Sequence, residues 1–475
     1  MSQDDKLPFR EQLAYGAGDF ACVLYWHTFS KYLPYYYTDV FGISAATLGG
    51  LLLFSRVFAG IDDPVVGLWA DRTNTRFGKF RPFILFGALP FVVFGVLTFT
   101  TPNFAPTGKV VWAYVTYNCL MILYTVINIP YTAMLGVMTS DGAARTRLSS
   151  IKFVCAFSAG MVISATLLPL VRYLGDSGQN PQKGWQLAFI LIGLVALVFF
   201  WITFAGTRER LAPATEQKNS VLADLRLLVT NGPWRLLLAT TVSFILFVSL
   251  KSSVFAHYFK YYVLGGDTSR EIPFFSIPLS FDGLVSTLNT AGQAASVVGV
   301  LITASQSHRL PKAKTFIACF SIAISATASY FFIPPSQVQY LFIAEIVGSM
   351  AASPIPVLLW AMYADTADYA EWKTGRRMTG LVFSASQMGQ KISWAIGAYV
   401  AFQILSTVGF QANVTPSPAV RQSLGLLVSL APASFGILSI LIFLFYPLKD
   451  QRVAQIQAEL AERRAQVNAA SPATS

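Results

Sequence analysis

Charge is what this sequence has least of. Only 12% of its 475 residues are Asp, Glu, Lys or Arg, about half the roughly 25% of soluble domains. That shortage excludes a disordered chain, a nucleic-acid-binding domain and an ordinary cytosolic enzyme. Cysteine is scarce too. Cys22, Cys119, Cys155 and Cys319 sit singly in apolar stretches without paired spacing, so neither a disulfide framework nor a metal site is expected. No Walker loop, HExxH pair or G-x-S-x-G elbow appears, which argues against an ATP-driven pump and a membrane enzyme. What is abundant is apolar: 54% hydrophobic, 14% aromatic, with a mean hydropathy of +0.54. The net charge of +11 falls between long apolar runs, as in the loops of a polytopic membrane protein.

A spanning helix needs about 20 apolar residues. Twelve stretches qualify: 14–38, 44–70, 82–101, 110–139, 148–173, 184–206, 235–264, 283–306, 314–334, 338–363, 378–405 and 423–447. The expected fold is an all-α membrane protein of twelve transmembrane helices in two six-helix halves. The halves cover 1–207 and 235–449, with a linker at 208–234 and a tail at 450–475. With a cytoplasmic N-terminus, about 23 of the Lys and Arg residues lie inside and about five outside. The expected location is therefore the cell inner (plasma) membrane, multi-pass, with both termini cytoplasmic. The opening, Met1 to Gln12, is polar, so the first span is expected to direct insertion itself. Segment 265–282 interrupts the second half with glycine, proline and charge and reads as an external loop or cap. The tail is expected to be a solvated helix that frays.

Several ionisable residues stand where lipid should be: Asp19, His27 and Lys31 in span 1, Arg56, Asp62 and Asp63 in span 2, Lys251 and Lys260 in span 7, Glu345 in span 10 and Lys391 in span 11. Each costs about 2.5–3.5 kcal/mol at the bilayer centre, so they must face a wet path or one another. Lys31 and Lys260 lie near span ends and are read as snorkelling. His27 is read as a satisfied interior residue and Glu345 as a packing partner. Asp63 and Lys391 have no snorkelling route and read as functional. The run Arg56-Val-Phe-Ala-Gly-Ile-Asp62-Asp63-Pro64 is the most informative. Adjacent carboxylates project about 100° apart on a helix and so border one small site. Pro64 frees a carbonyl in the turn before it. Such a pair suits a proton or a sodium ion.

At this point a resemblance is identifiable. Gly18-Asp19-Phe20, Tyr35-Tyr-Tyr-Thr-Asp39-Val-Phe-Gly42, Asp62-Asp-Pro64 and Asp71-Arg-Thr-Asn-Thr-Arg-Phe-Gly-Lys-Phe-Arg-Pro82 stand in order. Asn128-Ile-Pro-Tyr131 and the run from Ala364 to Gly380 follow. Together they resemble the glycoside–pentoside–hexuronide:cation symporters, a branch of the major facilitator superfamily. The resemblance implies sugar-binding roles for Asp19, Trp26, Asn128, Thr132, Lys152, Gln387 and Lys391. It implies cation coupling at Asp62, Asp63, Thr125 and Lys391. The charged loop of Asp71, Arg72, Arg76, Lys79 and Arg81 matches a conformational gating motif. Two departures matter. Asn128 is neutral where a relative is acidic, and Ala59 stands where a sodium-using relative has a second aspartate.

The reading is therefore a cation-coupled secondary active symporter of a sugar or glycoside, with proton coupling favoured and Na⁺ possible, alternating about a central site. It is not an enzyme, has no resident cofactor and needs no obligate protein partner or nucleic acid. Its partners are substrate, H⁺ or Na⁺, and membrane lipid. Lys152, Lys391 and Asn128 leave open an anionic sugar such as a hexuronide or sulfosugar. A sensor that binds sugar without moving it is the alternative of a different class.

Overall fold

The computed structural model describes residues 8–139, 142–210, 228–274, 277–306, 311–375 and 379–470. Most of the expected linker, Lys218 and Arg226 included, lies outside the described residues, as do Arg309, Arg376 and Arg377. Each expected span is occupied by helix. The first half holds α1 (Phe9–Lys31), α2 (Ala45–Arg72), α3 (Arg81–Thr98), α4 (Pro106–Met138), α5 (Gly142–Leu174) and α6 (Pro181–Gly206). The second holds α7 (Gly232–His257), α8 (Phe281–Gln306), α9 (Lys312–Ser329), α10 (Val338–Ala352, then Pro354–Thr374), α11 (Thr379–Thr407) and α12 (Pro418–Val428, then Leu430–Phe443). Among the described residues, eight helices are long and apolar enough to cross a membrane by length and composition.

Local chemistry sets the helix starts. Proline occupies the first turn of α3, α4, α6, α7 and α12, where its missing N–H removes no helical bond. Ser44, Asn180, Asn231 and Ser417 accept from backbone N–H groups three residues on, the N-cap arrangement. α1 and α7 end alike. Each leads to a six-residue π-helix: α7 runs straight into Tyr258–Val263, and α1 reaches Tyr36–Phe41 through the short helical turn Leu33–Tyr35. Gly42 closes the first at φ +89°, a conformation costly for a side chain with a Cβ.

The halves pack with a pseudo-two-fold relation: α2 runs along α11, α5 along α8, and α1 meets α7. At one end of the bundle lie the basic loops, such as Arg72 to Arg81. At the other, 265–282 forms a hairpin of β1 (Ile272–Phe274) and β2 (Ile277–Leu279), antiparallel with Pro273 opposite Pro278. Phe274 packs edge-on against Phe342 of α10, so this expected cap is folded onto its own half.

The apolar core is continuous across the halves only in part. One cluster joins residues of the first half, such as Tyr36 and Tyr117, to Tyr258, Leu284 and Phe402 of the second. A separate cluster lies within the second half near the basic end, around Trp234, Phe320 and Tyr363. The halves are therefore joined at the hairpin end and hold separate cores toward the basic end.

The tail corrects an expectation. Helix α13 (Asp450–Ala470) is not merely solvated: Val453, Ile456 and Leu460 are buried at i, i+3 and i+7, one apolar stripe. Trp372 donates its indole N–H to Glu459 at 2.6 Å, and Gln457 donates to Asp368 at 3.1 Å. The charged composition hid a stripe of three residues. Ile456→Ala should therefore destabilise the detergent-solubilised protein by about 2–4 kcal/mol, the range for large-to-small core changes. A thermal unfolding midpoint equal to the parent's would mean that the tail does not dock.

Candidate functional site

Helix geometry puts the candidate residues on one level. Asp19 lies ten residues into α1, Lys152 ten into α5, Lys391 twelve into α11, and Asp63 nine before the end of α2. At 1.5 Å per residue all sit about 14–18 Å from the basic end. Four helices thus bring their ionisable side chains to a common tier.

In that tier the charges pair. Lys391 of α11 donates to Asp63 of α2, joining the two halves. Thr125, buried on α4, donates to the other oxygen of Asp63 at 3.3 Å. The pair stays partly open, Asp63 26% and Lys391 36% exposed at the side chain. Asp62 is placed differently. Both of its carboxylate oxygens are buried and accept no hydrogen bond of good geometry, the Thr125 hydroxyl and the Asp63 N–H being the donors nearby. Ala59, one turn earlier, is buried and supplies no oxygen.

A second group forms within the first half. Asp19 is buried, with Lys152 Nζ at 3.8 Å. Lys152 also lies over the ring of Tyr131, 5.4 Å from its centroid. Tyr131 stacks on Tyr15 and donates to the Tyr15 carbonyl at 2.8 Å, which fixes that ring. Asn128 approaches the Cys22 thiol, three residues along α1 from Asp19. Farther from the basic end, Trp26 stacks on Tyr124, and the guanidinium of Arg56 sits 4.5 Å from the Trp26 ring. The arrangement is a cation on an indole, with an aromatic surface beside polar groups.

A chain with this architecture and this tier matches the family described as MFS/sugar transport protein over residues 14–450. The chain belongs to that family. This MFS transporter is similar to the putative glycoside/cation symporter YagG of Escherichia coli (strain K12), 34% identical with 98% of each chain covered. It is likewise 34% identical to the isoprimeverose transporter of Lactiplantibacillus pentosus, covering 98% of this chain and 93% of that one. Among solved structures, the D-xylose-proton symporter superposes with a TM-score of 0.65 at 14% identity, covering 92% of this chain and 97% of that one. The protein is a multi-pass membrane transporter and not an enzyme.

The expected sugar residues are only partly assembled in this transporter. Asp19, Lys152 and Asn128 come together, and Trp26 lies beyond them. Thr132 and Gln387 are exposed, and Tyr131 rather than Thr132 meets Lys152. Arg56, Tyr124 and Tyr131 were not singled out as site residues from sequence. An uncompensated arginine inside an apolar span was the available signal for Arg56. The tyrosines carry no signal in a chain holding 20 of them.

Two lysines read as snorkelling are not. Lys260 is buried and ion-pairs with Asp39 at 2.6 Å. Lys31 donates to Asn289 of α8 at 2.6 Å. Both turn inward because a partner on another helix receives them, which a single-span reading does not see. Glu345 is the expected packing partner. It is buried and accepts from Lys251 and Tyr330, each at 2.7 Å. His27 is satisfied by Ser164 at 2.9 Å.

The charged loop is strapped to its own half. The Glu209 carboxylate accepts from the N–H groups of Lys79, Phe80 and Arg81 at 2.8–2.9 Å, an anion at the N-terminus of α3. A Cβ at Gly78 would meet Glu209 at 2.7 Å, so this turn requires glycine. Arg81 donates to the Phe204 carbonyl at 2.6 Å. Arg72 and Arg76 are exposed, and Arg76 lies over its neighbour Phe77. The Asp71 side chain lies outside the described residues. Beside this strap, Arg210 grips Glu11 through two bonds of 2.7 and 2.8 Å.

The Asp63–Lys391 pair makes a stability prediction that needs no substrate. Asp63→Asn and Lys391→Met should each destabilise the protein, and the double variant should lose less than the sum. The coupling expected for such a contacting pair is about 1–2 kcal/mol. Strict additivity in thermal unfolding would mean that the two groups do not interact.

Proposed function

We propose that this transporter is a cation-coupled symporter of a sugar or glycoside, driven by protons. The observation that carries the coupling is Asp62, whose two buried oxygens accept no hydrogen bond of good geometry beside the Asp63–Lys391 pair. A buried polar group without a partner costs energy, and an unpaired charge costs far more. A proton removes the charge. A sodium ion instead requires several oxygens at once. Here one Asp63 oxygen is taken by Lys391 and the other by Thr125, while Ala59 supplies none.

In this reading Asp62 and Asp63 share the coupling proton, and Lys391 compensates the charge once it leaves. The sugar lies against Asp19, Lys152 and Asn128, which offer acceptors and donors to hydroxyls, with Trp26 as the apolar surface for its ring. YagG and the isoprimeverose transporter, by their names, support a glycoside or a small oligosaccharide. Gln387 and Thr132 line the path at its edges. The distribution of Lys and Arg supports cytoplasmic basic loops, so that the hairpin end is extracellular. No resident cofactor takes part, and the co-transported cation is the only ion required.

The test is uptake into vesicles against a panel of neutral glycosides and hexuronides, with pH and Na⁺ gradients imposed separately. Uptake should follow an inward proton gradient, collapse with a protonophore and change little with Na⁺ at fixed pH. Asp63→Asn should abolish accumulation while sugar binding persists. Strong Na⁺ stimulation at constant pH would falsify proton coupling, and a panel without any accumulated sugar would remove the substrate class.

The charged loop supplies a kinetic prediction. In the inward-facing arrangement proposed here, Arg72 and Arg76 have no partner across the halves among the described residues. Arg72, Arg76 and Lys79, with Asp71, are assigned to holding the cytoplasmic side closed in the opposite state, and Arg81 to anchoring the loop. Arg76→Ala should slow sugar exchange without changing sugar affinity. An unchanged exchange rate would leave this loop a topology signal alone.

A further inference from the structure

At the hairpin end one buried carboxylate of the first half is held by several residues of the second. Asp39, in the π-helix after α1, faces Lys260 at 2.6 Å and His257 at 3.4 Å, all three side chains at most 5% exposed. Tyr261 donates to the same oxygen as Lys260, and Thr38 donates to the other at 2.6 Å. From the loop between α11 and α12, Asn413 accepts from Lys260 at 2.7 Å and donates to the Asp39 carbonyl at 2.8 Å. Its backbone N–H donates to Tyr261 at 2.7 Å, and its φ is +59°, a left-handed conformation that asparagine tolerates better than most residues.

We propose that this cluster is the extracellular gate of the transporter: an ionic pin of Asp39 and Lys260 that must be withdrawn before the outer end can open. Asp39 belongs to the first half, while Lys260, Tyr261, His257 and Asn413 belong to the second. Any parting of the halves at this end breaks these bonds together. The two π turns place the pin. They end the pseudo-symmetric helices α1 and α7, and Asp39 and Tyr261 are each the fourth residue of their turn. π turns are rare and concentrate at functional positions.

The physics gives the pin a distinctive signature. A buried ion pair adds little net stability, because desolvation offsets its attraction, but removing one partner strands a buried charge. In the closed state Asp39→Asn strands Lys260, and Lys260→Gln strands Asp39. Opening admits water to the stranded charge. Each single variant should therefore shift the protein outward-open, and the double variant should restore closure.

The inference rests on the alternating motion proposed above, but its test requires neither sugar nor cation. Asn289 lies on the inner side of the pin, buried, donating to the Tyr32 hydroxyl at 3.1 Å. With the four native cysteines changed to serine, Asn289→Cys reports access from outside to a membrane-impermeant maleimide. Asp39→Asn or Lys260→Gln should raise the labelling rate about tenfold or more, and the double variant should return it to within about threefold of the parent. Tyr261→Phe removes one donor and leaves both charges paired, so it carries less risk to folding. It should raise labelling severalfold, and it decides the matter if a single charge variant is not recovered in the membrane. Labelling unchanged in the variants, or fast already in the parent, overturns the pin. Uptake failing in the vesicle assay while labelling responds as expected would instead overturn the substrate and leave the gate standing.

Discussion

A carboxylate inside a membrane bundle needs a counter-charge or a proton, and Asp63 takes its counter-charge from the other half of the molecule. That contact with Lys391 organises the middle tier. It joins α2 to α11 beside the buried carboxylate of Asp62. Because the partners lie on separate six-helix bodies, the pair depends on how those bodies sit. If the coupling proton binds this carboxylate pair as proposed, it changes the pair's charge and hence the attraction across the interface, so that one electrostatic contact would link binding to motion.

The packing around that tier is asymmetric along the membrane normal. Toward the hairpin end, aromatic and aliphatic residues of both halves form one core, and close approaches are made by residues without a side chain. Gly49 meets Phe402 and Tyr399, while Gly160 of α5 meets Gln293 of α8 and His27 of α1. Toward the basic end the second half keeps its own cluster, and the described contacts of Glu209, Glu11 and Arg81 stay within the first half. Closure at one end therefore combines dispersion and burial over many groups with the buried Asp39–Lys260 pair. Opening requires that this contact part as a body rather than fray.

Much of the architecture was legible from sequence because a membrane span is a composition signal. Twelve apolar stretches correspond to the observed helices, and the polar break at 265–282 became a hairpin. Asp63, Lys391 and Asp19 were legible because a charge in an apolar run is conspicuous, whereas Lys152 was legible only through the family resemblance. What escaped was pairing between helices. Lys260 looked like a helix-end lysine because its partner, Asp39, lies 221 residues away. The tail looked solvated because three apolar residues in a charged stretch form a stripe only against a neighbour. Aromatic positions such as Tyr131 were illegible for a third reason: in so aromatic a chain, identity does not reveal which rings face a polar site.

Three ion pairs between lysine or arginine and a carboxylate cross between the halves among the described residues, the third being Arg172–Asp282 at 3.8 Å; the two that carry the proposed roles differ in exposure. Asp63 and Lys391 are 26% and 36% exposed, whereas Asp39 and Lys260 are 1% and 5% exposed. The first pair keeps part of its surface open while the hairpin end is closed, as a site that exchanges a proton without prior motion would require. The second pair has no such access. Its carboxylate is enclosed by Lys260, Tyr261, Thr38 and His257, and water meets it only after the halves have parted. In the proposed mechanism the more open, titratable contact senses the cation and the sealed contact holds the conformation. One bundle needs both kinds, since a single pair that did both would either leak protons through the closed state or never exchange them.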